Sequence, residues 1–574
     1  MNRWLFFCLF LFAFNVSAQN FETVFERTDG IQSVSYKQLI DYYKLLDEQY
    51  ETIKLAEAGE TDTYYPLHVV YYSGSAKFEV HSWKADKKLI ILINNGIHPG
   101  EPDGIDASMM LLRDAAMGKV KIPDNIVLAV VPVFNIGGMN NRGSHSRANQ
   151  NGPLEYGFRG NAQNLDLNRD FIKMDAKETQ SLVGLFHQLD PDVFIDNHVS
   201  NGADYQHVMT LLTTQHNKLG GAMAKYLNEI FEPMIYKDMQ KKGYDLVPYV
   251  NHWGHTPDRG WIAFHEGPRF ASGFAALFHT YSFVSETHML KPFRQRVEAT
   301  YALMNSFISL ASTNANGILE TREAQKEAYH KQMNLPVAWT SDTSKYTTIT
   351  FKGYESGYKP SAVSGKTRLY YDRDKPYTKQ IKFYNHYTAK QSISIPKAYI
   401  LPRGWGRVAE RLKINGVKMK EIAADTLMAL SVHTIESYET SPRPYEGHYV
   451  HSNVKTRLEK RFVKVYKGDY VITANQPAKR YLAEVLEPTA PDAFFAWGFF
   501  DAILQQKEGY SDYVFENEAA KILENDVVLQ KKLRKQQGED RKFADDGEAQ
   551  LDFIYKNSQY YEPVHMRYPV YRLE

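Results

Sequence analysis

The chain has 574 residues, beyond the ~250 to 300 at which a single hydrophobic core stops growing, so at least two domains are expected. Hydrophobic residues make up 43% and charged residues 24%, a globular balance that excludes a mainly disordered or collagen-like chain. With 68 Lys and Arg against 67 Asp and Glu the formal charge is +1; no global field draws the chain to nucleic acid or anionic membranes, and neither is an expected partner.

The N-terminus carries one positive side chain, Arg3, then the apolar run 4–14, then the small residues Val16-Ser17-Ala18. That is the layout of a secretory signal peptide covering residues 1–18. Its apolar run is shorter than the ~20 residues that cross a bilayer, so cleavage after Ala18 and no membrane insertion afterwards are expected. The single cysteine, Cys8, falls inside this segment. A cysteine nucleophile, a thiolate zinc site and an iron–sulfur cluster are thereby excluded from the mature chain. An exported protein without disulfides suits a bacterial periplasm or the surrounding medium, so a secreted or periplasmic location is expected.

Residues 36–46 place Leu39, Ile40, Tyr43 and Leu46 on one helical face. Strands are predicted at 67–72 and 88–93, the second running into the turn Asn94-Asn95-Gly96-Ile97-His98-Pro99-Gly100-Glu101. A helix follows over 103–116, with Gly118 placed to stop it. Another buried strand spans 125–133, a helix 176–189, and a strand 192–196 that leads to His198. This alternation predicts an α/β domain with a mixed, largely parallel central sheet flanked by helices. Ligands in such sheets bind beyond the carboxyl ends of the strands, where His98, Glu101 and His198 all fall. The Gly- and Asn-rich loop 135–160 is too long for a plain connection and is expected to be functional. A helix is predicted at 219–239, irregular chain at 252–269, a short strand at 283–286 ending in Glu286, and a closing helix at 292–310.

Beyond residue 320 the texture changes. Short strand-like pieces at 346–351, 368–371, 380–384 and 391–394 predict a compact β domain, read as a sandwich. A strand near 396–402 feeds a helix at 408–414, another strand lies at 469–472, and the end from about 492 reads as helical and aromatic. The expected organisation is a catalytic domain over residues 19–320 and a β-rich accessory domain with terminal helices over 321–574. The aromatics of Phe494 to Phe500 are expected to pack the interface rather than to bind ligand.

A His-x-x-Glu pair alone is a weak signal, since surface ion pairs share the spacing. Its setting strengthens it: Gly96 and Gly100 permit a tight turn and Pro99 fixes part of it between strand and helix, while His198 ends a second strand. Two neutral imidazoles and one carboxylate suit zinc and leave its fourth position open to water, as in a catalytic site.

With these motifs in place, the sequence resembles the zinc carboxypeptidase family of the carboxypeptidase A type, as a divergent secreted bacterial member. The family signature is His-x-x-Glu, an Asp-x-Asn-Arg segment, a distant third-ligand His and a Glu after the last core strand. Here these read His98-Pro99-Gly100-Glu101, Asp166-Leu167-Asn168-Arg169, His198 and Glu286, in order, and the resemblance covers about residues 30–315. It implies one Zn2+ held by His98, Glu101 and His198. Glu286 would act as general base toward a zinc-bound water and pass the proton to the leaving amine. Asn168 and Arg169 would grip the substrate's terminal carboxylate, and Asp166 would orient His98. Asp196 either plays a similar part for His198 or is a structural cap.

Arg159 is the preferred candidate for the cation that stabilises a tetrahedral oxyanion; Arg142 and Arg147 lie in the same loop. The family's mobile Tyr upstream of the catalytic Glu has no match: Tyr281 is too near Glu286, and 264–278 offers Phe instead. Arg269 or His265 is expected to supply contacts in its place. His252, His255, His265, His279 and His288 read as solvent or pocket-lining residues rather than a second metal site. The expected function is a secreted zinc metallocarboxypeptidase acting on peptides. The alternatives are hydrolysis of peptidoglycan stem peptides or another non-standard amide, and a noncatalytic module for peptide C-termini or glycans. Retention of the base and of all three ligands counts against the last.

Overall fold

A computed structural model describes residues 21–252 and 256–574. The expected signal segment with Cys8, and His255, lie outside the described residues.

Among the described residues, nine strands build the first region: β1 (Ile53–Gly59), β2 (Leu67–Ser73), β3 (Leu89–Asn95), β4 (Ile126–Val131), β5 (Val193–Ser200), β6 (Met209–Thr213), β7 (Val247–Pro248), β8 (Trp261–Ile262) and β9 (Tyr281–His288). Every residue of β3, β4 and β5 is buried, so their unbroken apolar runs need cover on both faces, as parallel strands do. Eight strands form one sheet in the order β1-β2-β4-β3-β5-β9-β6-β7. Its centre, β4-β3-β5-β9, is parallel, whereas β1–β2, β2–β4 and β6–β9 pair antiparallel. The expected mixed α/β sheet is therefore present, with β9 extending two residues beyond the expected run 283–286 at each end.

Helices cover both faces. On one, Tyr36–Gln49, Asp103–Ala116 and Phe293–Thr313 pack Leu39, Tyr43, Ile105, Leu111, Leu303 and Phe307 against Ile91, Ile93 and Phe283 of the sheet. The first of these begins at a capping box in which Ser35 and Gln38 satisfy each other's backbone N–H, a stop on fraying that the sequence spells out. A buried ion pair, Arg296 Nε to Asp103 Oδ2 at 2.9 Å, ties the other two helices together. The same guanidinium donates to the carbonyls of Asn151, Gly152, Met289 and Lys291, which fastens the long loop to the chain leaving β9. The helix expected at 219–239 is interrupted instead. Gly220 and Gly221 both take positive φ, and a π turn at Leu227–Phe231 widens the coil before Glu232–Lys241.

The opposite face carries Lys177–Leu189, Ala271–Leu277 and much of the C-terminal region. Leu92, Phe186, Phe194, Phe274, Tyr481, Trp497 and Tyr568 belong to one continuous cluster. Phe494, Phe495, Trp497 and Phe500 are fully buried there, so the aromatic stretch is packing material, each ring contributing on the order of 1.5–3 kcal/mol by burial. Helix Ala315–Lys331 joins the two regions.

The C-terminal strands are longer than their sequence pattern suggested. The pieces at 346–351, 368–371 and 380–384 belong to a single hairpin of Thr347–Pro360 and Thr367–Tyr384. A second long hairpin pairs Thr426–Thr440 with His451–Val465. Both hairpins are largely exposed, with only scattered buried positions such as Phe351, Ile381, Leu430, Val432, Ile435 and Val463, so the alternation that marks a half-buried strand is broken along most of their length. The strands are divided among two-, three- and six-stranded sheets rather than one sandwich. In the three-stranded sheet β8 pairs parallel with Phe383 and Tyr384 of the first hairpin. The helical end begins at Asp512, the stretch before it being mostly turns.

Candidate metal centre

The strand-to-helix turn after β3 is shaped by its glycines. Gly96 has φ +63°, and a Cβ there would stand 2.8 Å from Val133 Cγ2, so a side chain is excluded on both backbone and packing grounds. A Cβ on Gly100 would meet Arg147 Cδ at 2.7 Å. The Glu101 N–H donates to His98 O at 2.8 Å, closing a turn that aims both side chains at one point.

His198 completes that point from β5. Ligand atoms of His98, Glu101 and His198 all lie within 4.8 Å of one another, and all three residues are buried. Both imidazoles take the same posture. Nδ1 of His98 is 3.3 Å from Glu101 Oε1 and Nδ1 of His198 is 3.1 Å from Glu101 Oε2. The opposite nitrogens are anchored: His98 Nε2 to Asp166 Oδ1 at 2.9 Å and His198 Nε2 to Asp196 Oδ2 at 2.9 Å. A carboxylate on Nε2 fixes the tautomer with its lone pair on Nδ1 and raises the ring's basicity. The buried Nδ1 of His98 has no hydrogen-bond partner. Two convergent imidazole lone pairs and a carboxylate are the donor set a zinc ion takes, and the residues present fit it.

Electrostatics agree with a cation at this position. Burial disfavours charge on both Glu101 and His198. The His98, Arg147 and His198 contacts nevertheless hold the Glu101 carboxyl well below its ordinary value. Asp196 and Glu101 hold the His198 ring well above its own. Burial also opposes ionisation of Asp166, yet His98, Arg159 and Arg169 keep it far below the usual carboxylate range.

Glu286 is the register partner of His198 on the adjacent strand β9, so the two side chains share one face of the sheet. Burial pushes its carboxyl up to about 8; His198 pulls it down, and Glu101, Glu266 and Asp196 reinforce the rise. It lines a cavity of about 610 Å³ together with His98, Glu101, His198, Asn168 and Arg169. Arg159 lines it too, and Asp166 stands directly behind His98.

Asn168 and Arg169 ride on a 3-10 turn, Leu167–Arg169, which Asp166 caps through the Asn168 N–H at 2.9 Å. The Arg169 guanidinium lies 4.3 Å over the Phe270 ring, an attractive stacking that fixes its plane. Among the loop arginines, Arg142 turns away to the carbonyls of Ser33 and Val34. Arg159 and Arg147 both line the cavity. Arg159 pairs through Nε with Asp166 Oδ2 at 2.9 Å, and Arg147 Nη1 meets Glu101 Oε1 at 2.9 Å.

The expected substitutes for the missing Tyr do not reach the cavity. Arg269 pairs with Asp492 at 2.7 Å and lies over Trp497, and the His265 ring packs against Tyr387. The wall instead holds Tyr249, Phe264, Phe270 and Glu266. Tyr249 follows the two-residue strand β7 and carries no local motif. Among the described residues the His98 group is the one cluster able to hold a metal. Two residues absent from the sequence reading, Tyr445 and Glu446, reach Arg169 and Asp166 from the tip of the second long hairpin; their separation in sequence left no signal.

No protein-family profile matches this chain. It is similar to Carboxypeptidase 2 of Trichophyton equinum, 22% identical over 432 residues that span 72% of this chain and 74% of the relative. The corresponding protein of Trichophyton rubrum is 23% identical over 434 residues, with 72% and 74% covered. Among solved structures, a metallo-carboxypeptidase from Burkholderia cenocepacia aligns with a TM-score of 0.36 and 15% identity over 49% of this chain and 70% of the other. A carboxypeptidase A from Helicoverpa armigera gives 0.37 and 12% over 51% and 74%.

Proposed function

We propose that this protein is a metallocarboxypeptidase that uses one zinc ion and removes residues from the carboxyl end of peptides. The observation that carries the reading is the convergence of His98, Glu101 and His198, with both Nε2 atoms anchored on carboxylates. The resemblance to proteins named Carboxypeptidase 2 supports it. When bound, the ion supplies Lewis acidity that polarises a carbonyl oxygen and acidifies water. Glu286, beside His198, accepts the water's proton and returns it to the leaving nitrogen. Arg169 and Asn168 across the cavity receive the terminal carboxylate, the guanidinium through two charge-assisted hydrogen bonds. Arg159 and Arg147 place positive charge beside the ligand set, where a tetrahedral oxyanion develops. Export by the N-terminal segment belongs to the same reading; among the described residues no helix is long and apolar enough to cross a membrane.

The test is mass spectrometry of a mixed pool of peptides and muropeptides, each peptide offered with a free and an amidated C-terminus, with and without a chelator. Free-acid peptides should shorten from the carboxyl end, amidated ones should persist, and chelation should stop the reaction. Glu286→Gln should retain zinc and lose about 10²- to 10⁴-fold in turnover, the usual contribution of general acid–base catalysis. Equal cleavage of acid and amide, or full activity in chelator, would refute the assignment.

A further inference from the structure

The tip of the hairpin formed by Thr426–Thr440 and His451–Val465 reaches back to the Asp166–Arg169 turn, although nearly 280 residues separate them in sequence. Two of its side chains grip that segment, and a third reaches Asp175 beyond it. Tyr445 Oη accepts from Arg169 Nε at 3.0 Å. Glu446 Oε2 accepts from the Asp166 N–H at 2.7 Å. His448 Nε2 meets Asp175 Oδ2 at 2.6 Å. The first two of these partners are the residues that face the substrate carboxylate and that anchor His98.

The tip is built for this reach at a local cost. Tyr445 and His448 exchange both backbone hydrogen bonds, at 2.7 and 3.0 Å, with Glu446 at φ 49° and Gly447 at φ 81° between them. Such a turn needs positive φ at both central residues and favours Asn and Gly there. Gly447 suits it; a Glu in the left-handed region is strained, and strain of this kind persists where the surroundings hold it and clusters at functional sites. Here the Asp166 N–H holds it. Tyr445 is stacked at 23° on Trp497, and Arg269 covers both rings, so its hydroxyl is delivered from a fixed ring. With Phe270 beneath the guanidinium, Tyr445 on Nε and the Asn168 carbonyl on Nη1 at 2.8 Å, the fork of Arg169 is locked in plane with its remaining N–H groups left for the cavity.

We propose that this hairpin tip is part of the active site, with Tyr445 as a positioning residue for the carboxylate-binding Arg169 and Glu446 as a positioning residue for the His98 anchor Asp166. The proposal rests on the carboxypeptidase reading and adds to it the source of its end-of-chain specificity. A tip that only docked the two regions would move stability and leave substrate discrimination unchanged.

The experiment uses the full mature chain with zinc, in a Glu286→Gln background that holds peptide without turning it over. Calorimetry measures the affinity for an acetylated tripeptide as free acid and as amide, with and without Tyr445→Phe, which removes the hydroxyl and keeps the stacked ring. The acid should weaken by about tenfold, the scale of one hydrogen bond to a charged group, while the amide shifts less than twofold. In the otherwise unsubstituted enzyme, Glu446→Ala should lower kcat several-fold with KM little changed, and Glu446→Gln, which keeps an acceptor, should restore it. If the parent prefers the acid and Tyr445→Phe leaves that preference intact, the role of the tip is overturned alone. If the parent binds acid and amide alike, the carboxylate reading beneath it is overturned, and the tip with it.

Discussion

His98 and His198 hold the same posture by different means. Behind His198 stands Asp196, two residues earlier on the same strand, fully buried, with its other oxygen bonded to Asn94 of β3 at 2.9 Å. Residues two apart on a strand share a face, so the sheet alone sets this arm. Behind His98 stands Asp166, from a loop, braced by Arg159 and by Glu446 of the distant hairpin. That arm depends on tertiary contacts made by chain hundreds of residues away. One half of the centre is therefore built by local geometry, the other by the completed fold.

Removing a ligand should have the largest effect. His198→Ala is expected to cost more than the ~10- to 100-fold in metal affinity that follows loss of an anchoring carboxylate; metal analysis after gel filtration should find substoichiometric zinc, and full occupancy would break the ligand set. Next come the anchors. Competition against a chelator should show Asp196→Asn near the 100-fold end of that range and Asp166→Asn near the tenfold end, because Arg159 and Glu446 brace the Asp166 loop whereas Asp196 alone, among the described residues, is hydrogen-bonded to Nε2 of His198. The reverse order would overturn the contrast between the arms. The smallest signal is thermal: free zinc at 100 times its Kd should stabilise the fold by about 2.7 kcal/mol, raising the unfolding midpoint, and His198→Ala should erase that shift.

The strand-set half of the site was legible because its cause is local. The apolar runs of β3 and β5, the glycines of the 96–100 turn and the position of Glu286 at a strand end each state their structure within a few residues. The other half was not. Tyr249 follows a strand of two residues, too short to carry a period. Tyr445 and Glu446 sit on a hairpin whose arms face solvent on most positions, so the alternation that marks a half-buried strand is diluted. Arg269 and His265 were misplaced for a related reason: both lie in irregular chain whose course is decided by Asp492 and Tyr387 of the C-terminal region. The first long hairpin shows in the sequence only as short pieces, and the second not at all, because most of their positions face solvent.

The pairing of β8 with Phe383 and Tyr384 bears on the order in which the molecule can be made. Phe264, two residues past β8, lies on the cavity wall, so that wall has no fixed course until residue 384 has been synthesised and its hairpin closed. The Asp166 loop waits longer still, for Glu446. A product cut near residue 320 would carry all three ligand side chains, Glu286 and the cavity-lining residues, but neither the strand that pairs with β8 nor the Glu446 contact that braces Asp166. Such a fragment is expected to hydrolyse peptides more slowly than the full chain.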